Sequence, residues 1–321
     1  MEERIEDSKV SRMREHTERS EIVNHKRGSG LVAKRGVKLE AYEIFRTVYS
    51  EWKRNPRLSF QIACPVTYVP SEEMLERTWL EGKKALVIYF LTPEKLSRIV
   101  YGIKPSIYVE KSAEFLAWLH NLGKASRHID VRALQRRHIT QMKIIVNSCL
   151  ESRLISENTA DNTKHITDRI SEHEGWGPVS IIHGDFNTHN VLIAKENLAI
   201  IDFEMTRYDF SYLDLARFVY NIKLRSNKYP FAKESRLNSL ASIFLGKYQE
   251  LCGEIDRKAL VTCYFTELLE QLRRVLRSYS MKNPSLRESI SSFLTRMNLD
   301  YIVKEISLLG SDLECPQEQK E

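Results

Sequence analysis

The sequence predicts an α+β protein of two lobes, a small antiparallel-sheet N-terminal lobe and a mostly helical C-terminal lobe. Two patterns carry this expectation. Residues 9 to 34 and 60 to 82 hold short apolar runs broken by turn residues, as in strands with one covered face. From Pro93 onward, apolar residues recur at helical spacing almost to the end of the chain. A third observation places the centre of the molecule. The polar stretch His183-Gly184-Asp185-Phe186-Asn187-Thr188-His189-Asn190 interrupts the helical pattern between apolar strands, and Ile200-Ile201-Asp202-Phe203-Glu204 follows it. With 321 residues, 42% hydrophobic and 29% charged, the chain is long enough for two lobes and too apolar to be disordered. The division expected is an N-lobe over 1–80 with a hinge near 76–82, a C-lobe over 83–310, and a disordered tail over 311–321. The C-lobe carries the loops 183–190 and 202–204.

In order along the chain, alternation suggests strands over Lys9 to Glu15, Glu21 to His25 and Leu31 to Lys34. The turn Lys26-Arg27-Gly28-Ser29-Gly30 makes a hairpin of the last two. Between the first two, His16-Thr17-Glu18-Arg19-Ser20 forms a polar loop whose backbone N–H groups and Ser20 hydroxyl suit phosphates, although it has no glycine fingerprint and equally fits a plain surface turn. Lys34 ends a strand and precedes an amphipathic helix over Leu39 to Tyr49. A strand lysine paired with a helix glutamate can hold its ammonium against nucleotide phosphates. Glu40 and Glu43 compete for the partner role, Arg35 for that of the cation, and an exposed strand end is the plain alternative. A strand over Phe60 to Val69, a turn at Pro70-Ser71-Glu72 and the run Met74 to Gly82 complete the lobe. Helices are then expected over Ser112 to Leu122, Val131 to Ile155, Thr163 to Glu174, Phe231 to Leu251, Asp256 to Tyr279 and Leu286 to Leu309. His120 lies on the first of these and reads as a core or capping residue.

Composition narrows the partners. No apolar run reaches the ~18 residues of a membrane span, and the charged N-terminus is no signal peptide. Five scattered cysteines without a C-x-x-C pair point to thiols in a reducing cytoplasm, with neither disulfides nor zinc expected. The formal charge of +6 is spread among Asp and Glu like a solvated surface, so no nucleic-acid groove is expected.

The loop residues carry the chemistry. Phosphoryl transfer needs an acceptor for a hydroxyl proton and hard oxygen ligands for magnesium on the nucleotide. Asp185 suits the first task, Asn190 and Asp202 the second, and His183 serves as a buttress.

The motif His183-Gly184-Asp185-x-x-x-x-Asn190 with Ile201-Asp202-Phe203-Glu204 resembles the aminoglycoside phosphotransferase and choline kinase superfamily, which has a protein-kinase-like fold. Protein kinases fit less well, since they would place an Arg where Gly184 stands and a Gly where Glu204 stands. The resemblance extends over most of the chain, through Leu31-Val32-Ala33-Lys34, Glu40-Ala41, Leu80-Glu81-Gly82, Leu116 to His120 and Asp214-Leu215-Ala216-Arg217-Phe218. It implies Asp185 as general base, Asn190 and Asp202 as magnesium ligands, and a phosphate-contacting Lys34 partnered by Glu40. It also implies adenine held by the backbone of Arg77, Thr78 and Trp79. Asp214 would tie down the catalytic loop, and Glu204 would add an oxygen near the metal. The expected activity is ATP- and Mg²⁺-dependent phosphorylation of a hydroxyl on a small molecule such as a sugar or amino alcohol. Cationic aminoglycosides are disfavoured because arginines stand beside the glutamates of the C-terminal helices. The other readings are a nucleotide-binding scaffold of the same fold, or a kinase acting on a macromolecule.

Overall fold

The computed structural model describes residues 21–26, 31–78, 80, 83–84, 104–123, 129–172, 175–194, 197–228, 234–279, 299–300 and 302–306. The expected strand over 9–15, the loop 16–20 with Ser20, Trp79, Glu81-Gly82, most of the helix over 286–309 and the tail 311–321 lie outside these residues.

Four strands form the antiparallel sheet of the N-lobe: β1 (Glu21–Lys26), β2 (Leu31–Arg35), β4 (Pro65–Val69) and β5 (Met74–Thr78), in the order β1-β2-β5-β4. The helix α1 (Leu39–Lys53) buries Ala41, Ile44, Phe45 and Val48, a stripe at helical spacing. Its ring Phe45 stacks on Phe203 with centroids 4.7 Å apart and planes within 1°. That stack joins the helix of one lobe to the loop 202–204 of the other.

The single strand expected over 60–69 is two strands in different sheets. β3 (Phe60–Ile62) pairs in parallel with β9 (Asn197–Ile200), while β4 pairs with β5. Pro65 explains the break, since it has no N–H to continue a ladder and is tolerated at a strand start. Next to it, Cys64 leaves β3 and exchanges bonds with Thr78: Thr78 N donates to Cys64 O at 2.9 Å, and Cys64 N donates to Thr78 Oγ1 at 2.8 Å. β3 therefore seams the lobes together. The second sheet has the order β3-β9-β8-β6, with β6 (Lys83–Lys84) and β8 (Val191–Ala194) antiparallel. A two-stranded ribbon pairs β7 (Val179–Ile182) with β10 (Arg207–Phe210). The loop 183–190 runs from β7 to β8, and the loop 202–204 follows β9.

The remaining described elements are mainly helices: α2 (Pro105–Gly123), α3 (Val131–Glu151), α4 (Glu157–Glu172), α5 (Tyr212–Lys228), α6 (Glu234–Cys252) and α7 (Arg257–Tyr279). Their starts follow capping chemistry. Asp130 accepts from Ala133 N at 2.9 Å, and Asp256 accepts from Lys258 N at 2.8 Å and Ala259 N at 3.1 Å. α4 begins earlier than periodicity suggests because Ser156 Oγ accepts from Thr159 N at 3.2 Å, capping a polar first turn. No helix among the described residues is long and apolar enough to cross a membrane.

One buried ion cluster anchors the ribbon that presents the loop. Asp209 on β10 is fully buried and meets Arg137 and His138 of α3, each at 2.8 Å, and Arg207 at 2.9 Å. Burial pushes its carboxyl up, but the His138 hydrogen bond and the arginine charges outweigh burial and hold it well below the usual carboxylate range. A depressed carboxyl stabilises the fold above its unfolded pKa, about 3.9, and that contribution is lost as pH falls toward the folded value. Asp209→Ala should cost about 3–5 kcal/mol in urea unfolding at pH 7, because it strands cations around an emptied site. The difference from wild type should shrink as the pH is lowered below about 4.

Candidate active site

The loop after β7 is held by a carboxylate from α5. Asp214, in the first turn of that helix, accepts from His183 N at 2.6 Å through Oδ2 and from Gly184 N at 3.0 Å through Oδ1. Behind it, His120 Nε2 lies 3.4 Å from Oδ2, and His120 Nδ1 lies 2.8 Å from Tyr248 Oη. Burial pushes the Asp214 carboxyl up, and the bonds from His120 and the loop backbone more than offset it, so the group is held below the ordinary range. His120 thus supports the residue that supports the loop.

Gly184 has φ +78°, and a Cβ there would strike the Met205 carbonyl. Both the left-handed backbone and the close approach demand glycine. His183, fully buried, bridges the two loops: its Nε2 lies 2.9 Å from Ile201 O, and Asp185 N donates to its Nδ1 at 3.3 Å. This pattern uses Nδ1 as acceptor and leaves Nε2 to donate, as befits a buttress. Phe203 packs on the same imidazole at 4.7 Å.

Asp185 sits at the end of this scaffold, 9% exposed. Asn190 Nδ2 donates to its carbonyl at 2.8 Å and to its Oδ2 at 3.0 Å. Its Oδ1 faces Arg217 Nη1 at 3.2 Å and Arg274 Nη2 at 3.6 Å. Arg217 also donates to Gly184 O and, through Nε, to Glu267 Oε2 at 2.8 Å. Gln271 donates to the other Glu267 oxygen. Burial works against the charge on Arg217, and the carboxylates of Glu267 and Asp185 overcome it and raise its pKa. Arg217 carried a signal that went unused: it stands one helical turn beyond Asp214, so both face the loop.

The nucleotide side departs from the expected pairing. Lys34 Nζ lies 2.8 Å from Asp202 Oδ1 and 3.3 Å from Glu204 Oε1. Glu40 and Glu43 are both exposed on α1, and no ion pair joins either to Lys34 among the described residues. The carboxylate partners of Lys34 therefore come from the loop 202–204, which Phe203 packs onto α1, and not from Glu40. Arg35 is a surface residue paired with Glu72 at 2.9 Å, which removes it as the alternative cation. Arg77 brings its side chain to the same two carboxylates. Its Nη2 lies 2.8 Å from Asp202 Oδ1 and its Nε 3.5 Å from Glu204 Oε1. Thr78 spends its N–H and its hydroxyl oxygen on Cys64. Burial pushes the Asp202 carboxyl up, but the charges of Lys34 and Arg77 hold it below the usual range. Asp202 itself is left-handed, φ 69°, a conformation that short polar side chains tolerate.

The donors fit magnesium. With Nδ2 turned to Asp185, Asn190 presents its amide oxygen, and Asp202 adds a carboxylate. No group of three or more His, Cys, Asp or Glu fit for a metal occurs among the described residues. Glu204 is buried and forms ion pairs with Lys34 and Arg77. Gly184→Ala should lower the melting temperature and weaken nucleotide-induced stabilisation, both read by thermal denaturation.

The model of the phosphotransferase enzyme family matches residues 59–234, more than half of the chain. No curated protein matches significantly. Among solved structures, the gentamicin complex of APH(2″)-IIa aligns with TM-score 0.55 at 14% identity, covering 91% of this chain and 88% of its own. A glucosamine kinase in complex with glucosamine, ADP and inorganic phosphate aligns with TM-score 0.59 at 13% identity, over 89% of this chain and 79% of its own. An amicoumacin kinase with AMP-PNP and Ca²⁺ aligns with TM-score 0.55 at 13% identity, over 90% and 89%. These likenesses show the bilobal, protein-kinase-like fold.

Proposed function

The chain belongs to the phosphotransferase enzyme family and is a phosphotransferase acting on a hydroxyl of a small molecule; from this premise we propose that it transfers the γ-phosphoryl group of ATP to that hydroxyl with magnesium. The observation that carries the proposal is the placement of Asp185. A buried loop holds this carboxylate, and Asn190 ties its Oδ2 to the metal side.

Asp185 accepts the proton of the acceptor hydroxyl as the new P–O bond forms, while Arg217 and Asn190 fix the orientation of its two oxygens. Asn190 and Asp202 would hold magnesium, which neutralises charge on the phosphates when bound. Lys34 supplies a compact positive charge on the same side. Asp214, His183 and His120 act through the backbone of the loop and touch none of the reacting atoms.

The acceptor side favours a neutral or anionic small molecule over a polycation. A cationic antibiotic needs unneutralised carboxylates. Here Glu267 is taken by Arg217 and Glu270 by Arg273 at 2.7 Å, and Arg274 lies beside the base. Gentamicin and glucosamine, ligands of two structural neighbours, are therefore informative comparisons in an acceptor screen.

Asp185→Ala should reduce phosphoryl transfer by about 10²–10⁴-fold while nucleotide-dependent thermal stabilisation survives. Equal turnover in the variant would remove Asp185 as base. ADP release should be seen with neutral or anionic hydroxylated acceptors before aminoglycosides. Nucleotide binding without turnover on any acceptor would favour a binding scaffold.

A further inference from the structure

Four charges meet in the nucleotide site, and their arrangement is unusual for a metal carboxylate. Lys34 Nζ and Arg77 Nη2 both sit 2.8 Å from the same oxygen, Oδ1 of Asp202. Both cations also flank Glu204 Oε1, at 3.3 Å and 3.5 Å. The side chains of Lys34, Arg77 and Glu204 are nearly closed to solvent, 7%, 4% and 5% exposed, whereas that of Asp202 is 27% exposed. The cluster is thus entered through Asp202. Within it, Arg77 Nε and Glu204 Oε1 are buried and lack a hydrogen-bond partner. The two atoms face each other at 3.5 Å, an ion pair too long to be a good hydrogen bond, so neither is held tightly by the other.

Charge counting gives the consequence. Two carboxylates and two cations sum to zero, so a bare divalent ion finds little net attraction at Asp202. A nucleotide changes the balance, because its phosphates offer the two cations new counter-charges. We propose, resting on the phosphotransferase reading, that Arg77 competes with the divalent ion for Asp202, with Glu204 as the counter-charge that keeps Arg77 in place. The ion then enters only together with nucleotide, whose phosphates accept the Lys34 and Arg77 charges. Arg77 is accordingly a positioning residue of the metal site. It reaches Asp202 from β5, the strand leading toward the segment expected to hold adenine through its backbone.

Direct metal binding tests this without relying on turnover. Mn²⁺ is titrated into the full-length protein with and without ADP and followed by electron paramagnetic resonance, and ADP is titrated in EDTA by calorimetry. Wild type should bind Mn²⁺ only when ADP is present. Arg77→Gln should bind free Mn²⁺ at least about tenfold more tightly than wild type, and should bind ADP in EDTA about ten- to a hundredfold more weakly, the size of a lost charge-assisted hydrogen bond. Arg77→Lys, which keeps the charge, should behave as wild type. Should the Gln variant fail to fold, Arg77→Met, close in volume to the buried stem, gives the same comparison. Tight Mn²⁺ binding by wild type without nucleotide would overturn the proposal. So would unchanged Mn²⁺ and ADP affinities in the charge-removed variant, even with a lowered melting temperature. Failure of wild type to bind ADP with or without metal would instead defeat the nucleotide site itself.

Discussion

The site depends on one buried carboxylate. Asp214 accepts two consecutive backbone N–H groups, those of His183 and Gly184, and in doing so fixes the direction in which the chain leaves β7. A carboxylate at the start of α5 also suits the positive end of the helix. Because the bonds are to backbone, the side chains of the loop remain available for chemistry. Removing the acceptor would strand two buried donors and leave Gly184 to choose among the many conformations open to glycine. His120, Tyr248 and the left-handed Gly184 all serve this clamp: His120 meets the carboxylate, Tyr248 holds His120, and Gly184 lets the loop pass under Met205.

From the clamp outward, aromatic packing transmits position. His183 lies against Phe203, Phe203 stacks on Phe45, and Phe115 packs on Phe186 with centroids 5.5 Å apart. Catalytic loop, metal loop, α1 and α2 therefore share one contiguous set of rings. Rings so placed contribute burial and geometric preference together. They also explain why Lys34 does not need a partner on α1. The metal loop is already docked against that helix, and its own Glu204 lies within reach of the lysine.

Much of this was legible in the sequence, for a physical reason. Asp185, Asn190, Asp202 and Asp214 sit in short loops and helix starts where local backbone geometry fixes their relation, so their spacing is itself structural information. The helices were readable because an amphipathic stripe such as Ala41, Ile44, Phe45 and Val48 repeats with the turn of the helix. What spacing does not encode is where a long side chain finds its counter-charge. Arg77 and Asp202 are 125 residues apart, and nothing local to β5 signals that its arginine points into the metal site. The split of 60–69 into β3 and β4 was similarly hidden. No turn residue other than Pro65 breaks the run, and the lost donor of Pro65 together with the distant partner β9 decides which sheet each half joins.

The two halves of the site solve the same electrostatic problem in parallel ways. On the acceptor side, Asp185 faces Arg217, whose charge is balanced by Glu267. On the nucleotide side, Asp202 faces Arg77, whose charge is balanced by Glu204. Each reactive carboxylate has a buried guanidinium, and each guanidinium has a second carboxylate that takes no direct part. A lone buried carboxylate would tend to take up a proton and lose its capacity as base or ligand. A carboxylate paired with an unbalanced arginine would be held too strongly to release. The second acid weakens that hold while keeping the pair buried, and Asn190, bonded to Asp185 and adjacent to Ile201 through its carbonyl, spans the gap between the two triads. Its side-chain amide thus holds Asp185, and its carbonyl holds the backbone N–H of Ile201, the residue before Asp202.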